Sequence, residues 1–244
     1  MNWKLIIFSL LLAAPVFADD FKAANALYDA GKFAEAAAAY EKIEPKTAHV
    51  YYNLGNAQFR QHKLGLAILN YERARRLSPR DPDILANLKF AEQRAGAEDV
   101  NMPPRAVQRL MHSVVESQTL REWSAYELAG VWLTALLVGA CIYFPRMRAG
   151  FLIVAVACFL AFGVSTSALC YRWLGDRTAP EGIVITTDAE ARFAPLPEST
   201  VHFKLAEGTK VAIREDRSQW LFVERADGQQ GWVQTDAIER IVPR

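Results

Sequence analysis

The rhythm of apolar and polar positions changes several times along this chain. Residues 20–95 are rich in helix formers, with apolar residues recurring at three- and four-residue spacing. Val107, Leu110, Met111, Val114 and Val115 then follow i, i+3, i+4, i+7, i+8, which predicts one amphipathic helix over about 104–117. Two long apolar blocks come next, "WSAYELAGVWLTALLVGACIYF" (123–144) and "GFLIVAVACFLAFGVSTSALCYRW" (150–173). Beyond Arg177 the period falls to two, in short runs at 182–187, 200–205, 209–215, 220–225 and 230–235. Pro195, Pro197, Gly208, Asp216 and "ADGQQG" (226–231) punctuate those runs as turns.

Each long block can cross a bilayer core of about 30 Å. The link "PRMRA" (145–149) is short enough to demand a hairpin, and its Arg146 and Arg148 favour the cytoplasmic side. At the other end, "MNWKLIIFSLLLAAPVFA" (1–18) has a positive start, an apolar run and Val16 and Ala18 before Asp19. That is the pattern of a secretory signal peptide, with an uncleaved anchor as the alternative. Both arguments place the large segments outside the cytoplasm. Thr119 and Glu122 have capping-box spacing, so the first spanning helix is expected to begin at Leu120. Ala157, Ala161 and Ser165 recur every four residues, which suits close helix packing, either within the hairpin or against a partner helix.

Composition narrows the chemistry. The chain is 52% hydrophobic and 23% charged with a formal net charge of +1, so no global field draws it to nucleic acid. The three cysteines, Cys141, Cys158 and Cys170, all lie in the apolar blocks, which argues against a disulfide scaffold or a cysteine zinc site. The four histidines show no ligand spacing, and no phosphate loop or nucleophile elbow is present. Neither a catalytic residue, a metal site nor a cofactor is expected.

The helical segment repeats. "GKFAEAAAAYEKI" (31–43) aligns with "HKLGLAILNYERA" (62–74), pairing Phe33 with Leu64, Ala36 with Ala67 and Tyr40 with Tyr71. "LANLKFAEQRAG" (85–96) reads as the opening helix of a third copy. A period near this length denotes stacked helix–turn–helix units. With Leu54–Gly55, Gly31, Ala36, Tyr40, Ala67, Tyr71, Ala74 and Pro79, the segment resembles the tetratricopeptide (TPR) repeat. Small residues at Gly55 and Ala67 let paired helices approach, and the open end of so short an array needs a cover. The helix at 104–117 is expected to be that lid, or else to lie on the membrane surface.

The TPR resemblance implies a groove lined by the first helix of each repeat. Asn25, Asn53, Asn56, Arg60 and Asn87 fall there or near it, with Tyr52, Phe59 and Phe90 as aromatics. Asn25 and Asn53 match the asparagines of the family's carboxylate clamp. Its basic positions hold Phe21, Asp83 and Asn87 here, so capture of a terminal carboxylate is not expected. A groove of amides and aromatics suits an extended or helical peptide. The alternative is that these asparagines only satisfy backbone groups between repeats.

The β-rich end, with "APEGIVITTDAEARFAP", "LAEGTKVAI" and "WLFVERADGQQGWV", resembles bacterial SH3-like domains. A small antiparallel barrel is expected, with Trp220 and Trp232 as a candidate aromatic ligand surface. The resulting organisation is a multidomain membrane protein. It has a signal peptide (1–18), an all-α TPR solenoid (19–98) and a linker with the amphipathic helix (99–119). A two-helix transmembrane hairpin (120–144 and 150–173, turn 145–149) and an all-β SH3-like barrel (180–244) complete it.

In this order the modules resemble the TPR/SH3 (BatE-like) component of the Bat aerotolerance operons, most specifically over "YYNLGNAQFRQHKLGLAILNYERARRLSPRDPDILANL" (51–88). The resemblance implies a bacterial inner-membrane protein with both large domains periplasmic. It implies partners with von Willebrand A domains and, indirectly, a MoxR-type ATPase. Two functions stay open: an assembly scaffold acting through the TPR groove, or an envelope sensor whose SH3-like domain holds peptidoglycan or a wall peptide.

Overall fold

The computed structural model describes residues 19–97, 118–178 and 180–242. The predicted signal peptide and the helix expected at 104–117 lie outside the described residues. Seven α-helices and seven β-strands are present among those described. The chain divides into two compact units. One unites residues 19–97 with 180–242; the other holds the long apolar helices.

The first unit opens with helices α1 (19–29), α2 (Phe33–Lys42), α3 (Ala48–Arg60), α4 (Leu64–Leu77) and α5 (Pro82–Ala95). Each boundary has a local cause. Thr47 Oγ1 accepts the Val50 N–H at the start of α3. Asp81 Oδ1 accepts the N–H groups of Asp83 and Ile84 at the start of α5, which carries Pro82 in its first turn. Gly96, at φ 68°, ends α5 in the left-handed conformation that glycine adopts without penalty.

Consecutive helices pack through their small residues. Ala36, Ala57 and Ala67 are fully buried, and Tyr40 and Tyr71 fill the wider gaps with exposures of 1% and 2%. Gly55 is where the contact is closest. A Cβ there would stand 2.8 Å from the Tyr71 ring, closer than real side chains approach. The expectation that Gly55 permits close helix approach therefore has a definite opposing group.

The C-terminal strands are β1 (Glu181–Val184), β2 (Ala189–Arg192), β3 (Val201–Leu205), β4 (Lys210–Arg217), β5 (Trp220–Arg225), β6 (Gln230–Gln234) and β7 (Ile238–Arg240). They form one antiparallel sheet in the order β3-β2-β6-β5-β4-β1-β7. This ladder is open: β3 and β7 are its two edges, and among the described residues no pairing closes it into the expected barrel. Residues from all seven strands nonetheless join one buried cluster, from Val184 and Leu205 to Val223 and Ile238. Register shifts at Ala191/Arg192 and Ile213/Glu215 bend the sheet. The strands β2 and β7 were not anticipated. "AEAR" and "IER" are too short and too polar to show a period, and their pairing comes from neighbours far along the chain.

The sheet packs against α4 and the end of α5. Ile183 and Ile241 share a buried cluster with Ala67, Ile68, Leu69, Tyr71, Leu88 and Ala91. The Gly65 N–H donates to Glu207 Oε1 at 2.6 Å. Arg73 pairs with Glu239 at 2.8 Å and also donates to the carbonyls of Arg240 and Ile241, so it caps the β7 edge. Between the layers, Lys210 meets Glu181 at 3.0 Å and the buried Glu72 at 3.6 Å, while Arg75 holds Glu72 at 2.9 Å. Burial pulls the Lys210 pKa down, but the Glu72 and Glu181 carboxylates outweigh it and the net direction is upward.

The second unit is a helical hairpin of α6 (Leu120–Tyr143) and α7 (Arg148–Thr178), joined by a 3₁₀ turn at Pro145–Met147. The capping box forms as the spacing predicts: Thr119 Oγ1 accepts the Glu122 N–H and Glu122 Oε2 accepts the Thr119 N–H. Both helices are long and apolar enough to cross a membrane, and almost none of their most apolar surface is buried. Trp123 packs against Leu169 across their seam, along which Glu127, Gly130 and Thr134 of α6 and Ala155, Phe162 and Ser165 of α7 are buried or half-buried. Thr166 donates to Glu127 across it at 3.0 Å. Ala157 and Ala161 are exposed, so of the small-residue stripe only Ser165 packs inside the hairpin.

Candidate functional site

The first helices of successive repeats, α1, α3 and α5, carry the predicted groove residues. Asn25, Asn56 and Asn87 stand one repeat apart, and the structure wires the first two alike. The Tyr40 hydroxyl donates to Asn25 Oδ1 at 2.5 Å, and the Tyr71 hydroxyl donates to Asn56 Oδ1 at 2.7 Å. Each of these oxygens also accepts an amide from the next helix: Asn53 Nδ2 at 3.2 Å on Asn25, and Asn87 Nδ2 at 3.0 Å on Asn56. Asn87 Nδ2 lies 2.9 Å from the Tyr52 hydroxyl as well. The result is a polar ladder between these helices, each rung joining a buried tyrosine to two asparagines.

This ladder has a clear electrostatic effect. Burial first, and then the nearby Asp29 carboxylate and Tyr28, push the Tyr40 pKa up to about 12, against the opposing Asn53 hydrogen bond. Burial and Tyr52 raise that of Tyr71. Both phenols stay protonated at neutral pH and serve as donors. The asparagines therefore bind between repeats, and Asn25 and Asn56 have their carbonyl oxygens engaged.

The aromatic and basic positions have ring partners of their own. Phe59 and Phe90 pack with ring centroids 5.5 Å apart, and Phe90 is 47% exposed. Arg60 lies 4.4 Å over the Phe33 ring, so its charge is engaged within the array. Between α1 and α3 lies a cleft of about 270 Å³, lined by Asn25, Tyr28, Asp29, Tyr40 and Asn53. Sequence reasoning placed Asn25 and Asn53 there but missed Tyr28, Asp29 and Tyr40. The fifteen-residue spacing shared by Asn25–Tyr40 and Asn56–Tyr71 was the available signal.

Trp220 and Trp232 are each 8% exposed, so neither presents an open ring face. Trp232 packs at 5.0 Å from Phe222 and under the Arg217 guanidinium at 4.8 Å. The apolar surface of the sheet lies instead at Phe193 and Leu196, exposed by 63% and 60%, with His202 stacked on Phe193 at 4.2 Å. A second cleft, of about 290 Å³, runs past Thr186, Asp188, Glu190, Arg192 and Asp236. Among the described residues no His, Cys, Asp and Glu side chains gather in threes as metal ligands.

Comparison with protein-family models finds none that matches this chain, and comparison with curated proteins finds no match.

Proposed function

We propose that this protein is a non-enzymatic scaffold of the bacterial inner membrane, anchored by α6 and α7. Its helical array acts as a TPR groove that holds an extracytoplasmic segment of a partner protein. The observation that carries this reading is the asymmetry of the array. The α4 side is plated by the sheet, while among the described residues the α1, α3 and α5 side stays open with Phe90, Asp29 and half-buried Tyr52, Asn53 and Phe59 along it. A repeated, partly apolar face rimmed by polar groups is the usual form of a peptide-holding surface.

The topology of the chain supports the membrane part of the proposal. Residues 19–97 and 180–242 belong to one compact unit, and the segment between them contains two apolar helices. Halves of one folded unit share a compartment, so the crossings between them must be even in number. The arginines of the turn favour the cytoplasm for that turn and hence the periplasm for the unit. By its resemblance to BatE-like proteins, the partners in this reading are von Willebrand A-domain membrane proteins, with a MoxR-type ATPase acting indirectly. The C-terminal sheet, with its coiled single core, is read as an SH3-like module that serves chiefly to brace the array. A wall-binding role through Trp220 and Trp232 is the weaker reading, because both rings are buried.

The test is affinity purification of the tagged full chain from gently solubilised membranes, with mass spectrometry of co-purifying proteins. Recovery of membrane proteins that is lost in Phe90→Ser and Asn53→Ala, with both variants still folded at the assay temperature, is expected. Recovery of no protein, together with pelleting on peptidoglycan sacculi, would replace the scaffold by a wall-binding module.

A further inference from the structure

The cleft between α1 and α3 has a charge character that selects its ligand. Its lining holds one carboxylate, that of Asp29, and no lysine or arginine. Asp29 is exposed, and no hydrogen bond or ion pair engages it among the described residues. The nearby cations are committed or stand outside the cleft. Lys32 pairs with Glu35 at 3.4 Å, and Arg60 lies over Phe33. The other polar atoms at hand are acceptors or amides. Asn25 Oδ1 is already taken by Tyr40 and Asn53, which leaves the Asn53 carbonyl oxygen and the Tyr28 hydroxyl beside Asp29.

Farther along these helices both signs occur. Asp83 stands on α5 one turn before Asn87, exposed and with its carboxylate unpaired among the described residues. The exposed Arg94 lies 5.4 Å from the Phe90 ring centroid. A cleft of about 270 Å³ accommodates a long side chain, and its free acceptors match an ammonium or guanidinium head.

We infer that this cleft receives a lysine or arginine side chain of an extended segment of a partner protein, its cationic head paired with Asp29 and its stem against Tyr28. The inference rests on the groove reading given above and assigns the chemistry of that groove's ligand: the segment is basic, and recognition is by an internal side chain.

The test uses the full chain in detergent micelles and two fluorescein-labelled peptides with neutral caps at both ends. One repeats Ala-Lys-Ala-Ala and the other Ala-Glu-Ala-Ala. Fluorescence anisotropy is expected to show binding of the lysine peptide only. Asp29→Asn should weaken it about tenfold, the scale of one hydrogen bond to a charged group. Asp188→Asn, in the sheet, should leave it unchanged, and Asp29→Lys should transfer binding to the glutamate peptide. Asp29 is exposed, so these variants are expected to fold, and an unchanged melting midpoint verifies it. Equal binding by wild type and Asp29→Asn, preference for the glutamate peptide, or binding of neither peptide overturns the inference. If membrane partners still co-purify with Asp29→Asn as with wild type, the scaffold reading stands and only the cation assignment fails. Loss of all partners from the wild type fails the scaffold reading itself.

Discussion

Gly65→Ala tests whether the helical array and the sheet are one packed body. Gly65 lies in the first turn of α4, where alanine is the better helix former by about 1 kcal/mol. On helix propensity alone the substitution stabilises. The packing against the sheet predicts the opposite sign. A Cβ at Gly65 would stand 2.5 Å from the Val184 carbonyl oxygen and 2.8 Å from the Ile185 Cα. Both are backbone atoms in a strand and its exit, so neither can swing aside as a side-chain tip would. Relief requires α4 and β1 to separate by several tenths of an ångström. That shift strains the 2.6 Å hydrogen bond from the Gly65 N–H to Glu207 and loosens the contacts of Ile183 with Ile68. Overpacking of this kind costs about 1–3 kcal/mol, and a weakened hydrogen bond to a carboxylate adds about 1 kcal/mol more. After the propensity gain, the net loss is about 1–3 kcal/mol, or a few degrees in the melting midpoint at about 2–4 °C per kcal/mol. The assay is thermal unfolding of the full chain in detergent, followed by tryptophan fluorescence, since Trp220 and Trp232 are buried in the sheet. A variant as stable as wild type, or more stable, would refute the packed interface.

Other substitutions probe the array and its junction. Gly55→Ala should destabilise by about 1–3 kcal/mol, because the new methyl meets the Tyr71 ring at 2.8 Å; chemical denaturation measures it. Tyr71→Phe keeps that packing but removes a donor from Asn56, with an expected loss of about 1 kcal/mol in the same experiment. Lys210→Met removes one of the cations that face the buried Glu72, Arg75 being another, and should lose about 1–3 kcal/mol. Alkali should weaken the fold. The Tyr40, Tyr71 and Lys210 pKa values are raised in the folded state, so the stability they contribute is whole below about pH 10 and falls as pH rises through the folded values, about 12 for Tyr40. Phenolate absorbance should show two tyrosines ionising only above pH 11, together with unfolding.

What could be read from sequence was local, and what could not was distant. The capping box at Thr119 and Glu122 is a spacing of three residues, and the structure forms it. The demand for a small residue at Gly55 follows from a repeat, since Tyr40 and Tyr71 mark the same place in each copy. Five strands with alternating side chains were legible; β2 and β7 were not, because their three or four residues carry little apolar content. The junction of array and sheet was invisible for a different reason. Gly65 meets Glu207 across 142 residues of chain, and two apolar spans intervene. Gly65 and Gly208 look like ordinary helix and turn glycines until the opposing surface is known. A Cβ on Gly208 would stand 2.4 Å from Ile68. For the asparagines, sequence left two roles open, a ligand-facing one and a structural one between repeats. Their carbonyl oxygens face the tyrosine hydroxyls of the neighbouring helix, a choice made by burial of the phenols and not by the asparagines' own positions.

The shared unit also bears on the proposed membrane topology. A single crossing between residues 97 and 180 would put the array and the sheet on opposite sides and expose Ile183, Ile241 and Ile68, each 2% exposed or less. Two crossings leave the interface intact. This is testable without reference to function. In a chain with Cys141, Cys158 and Cys170 replaced by serine, single cysteines are introduced at three exposed positions, Lys32→Cys in the array, Glu198→Cys in the sheet and Arg146→Cys in the hairpin turn. A membrane-impermeant maleimide applied to spheroplasts should label positions 32 and 198 alike, and position 146 only after the membrane is opened. Labelling of 32 and 198 from different sides would break the unit that the structure describes. Labelling of 146 alone from outside would keep the unit and reverse its compartment, because even crossing numbers fix only that the two halves stay together.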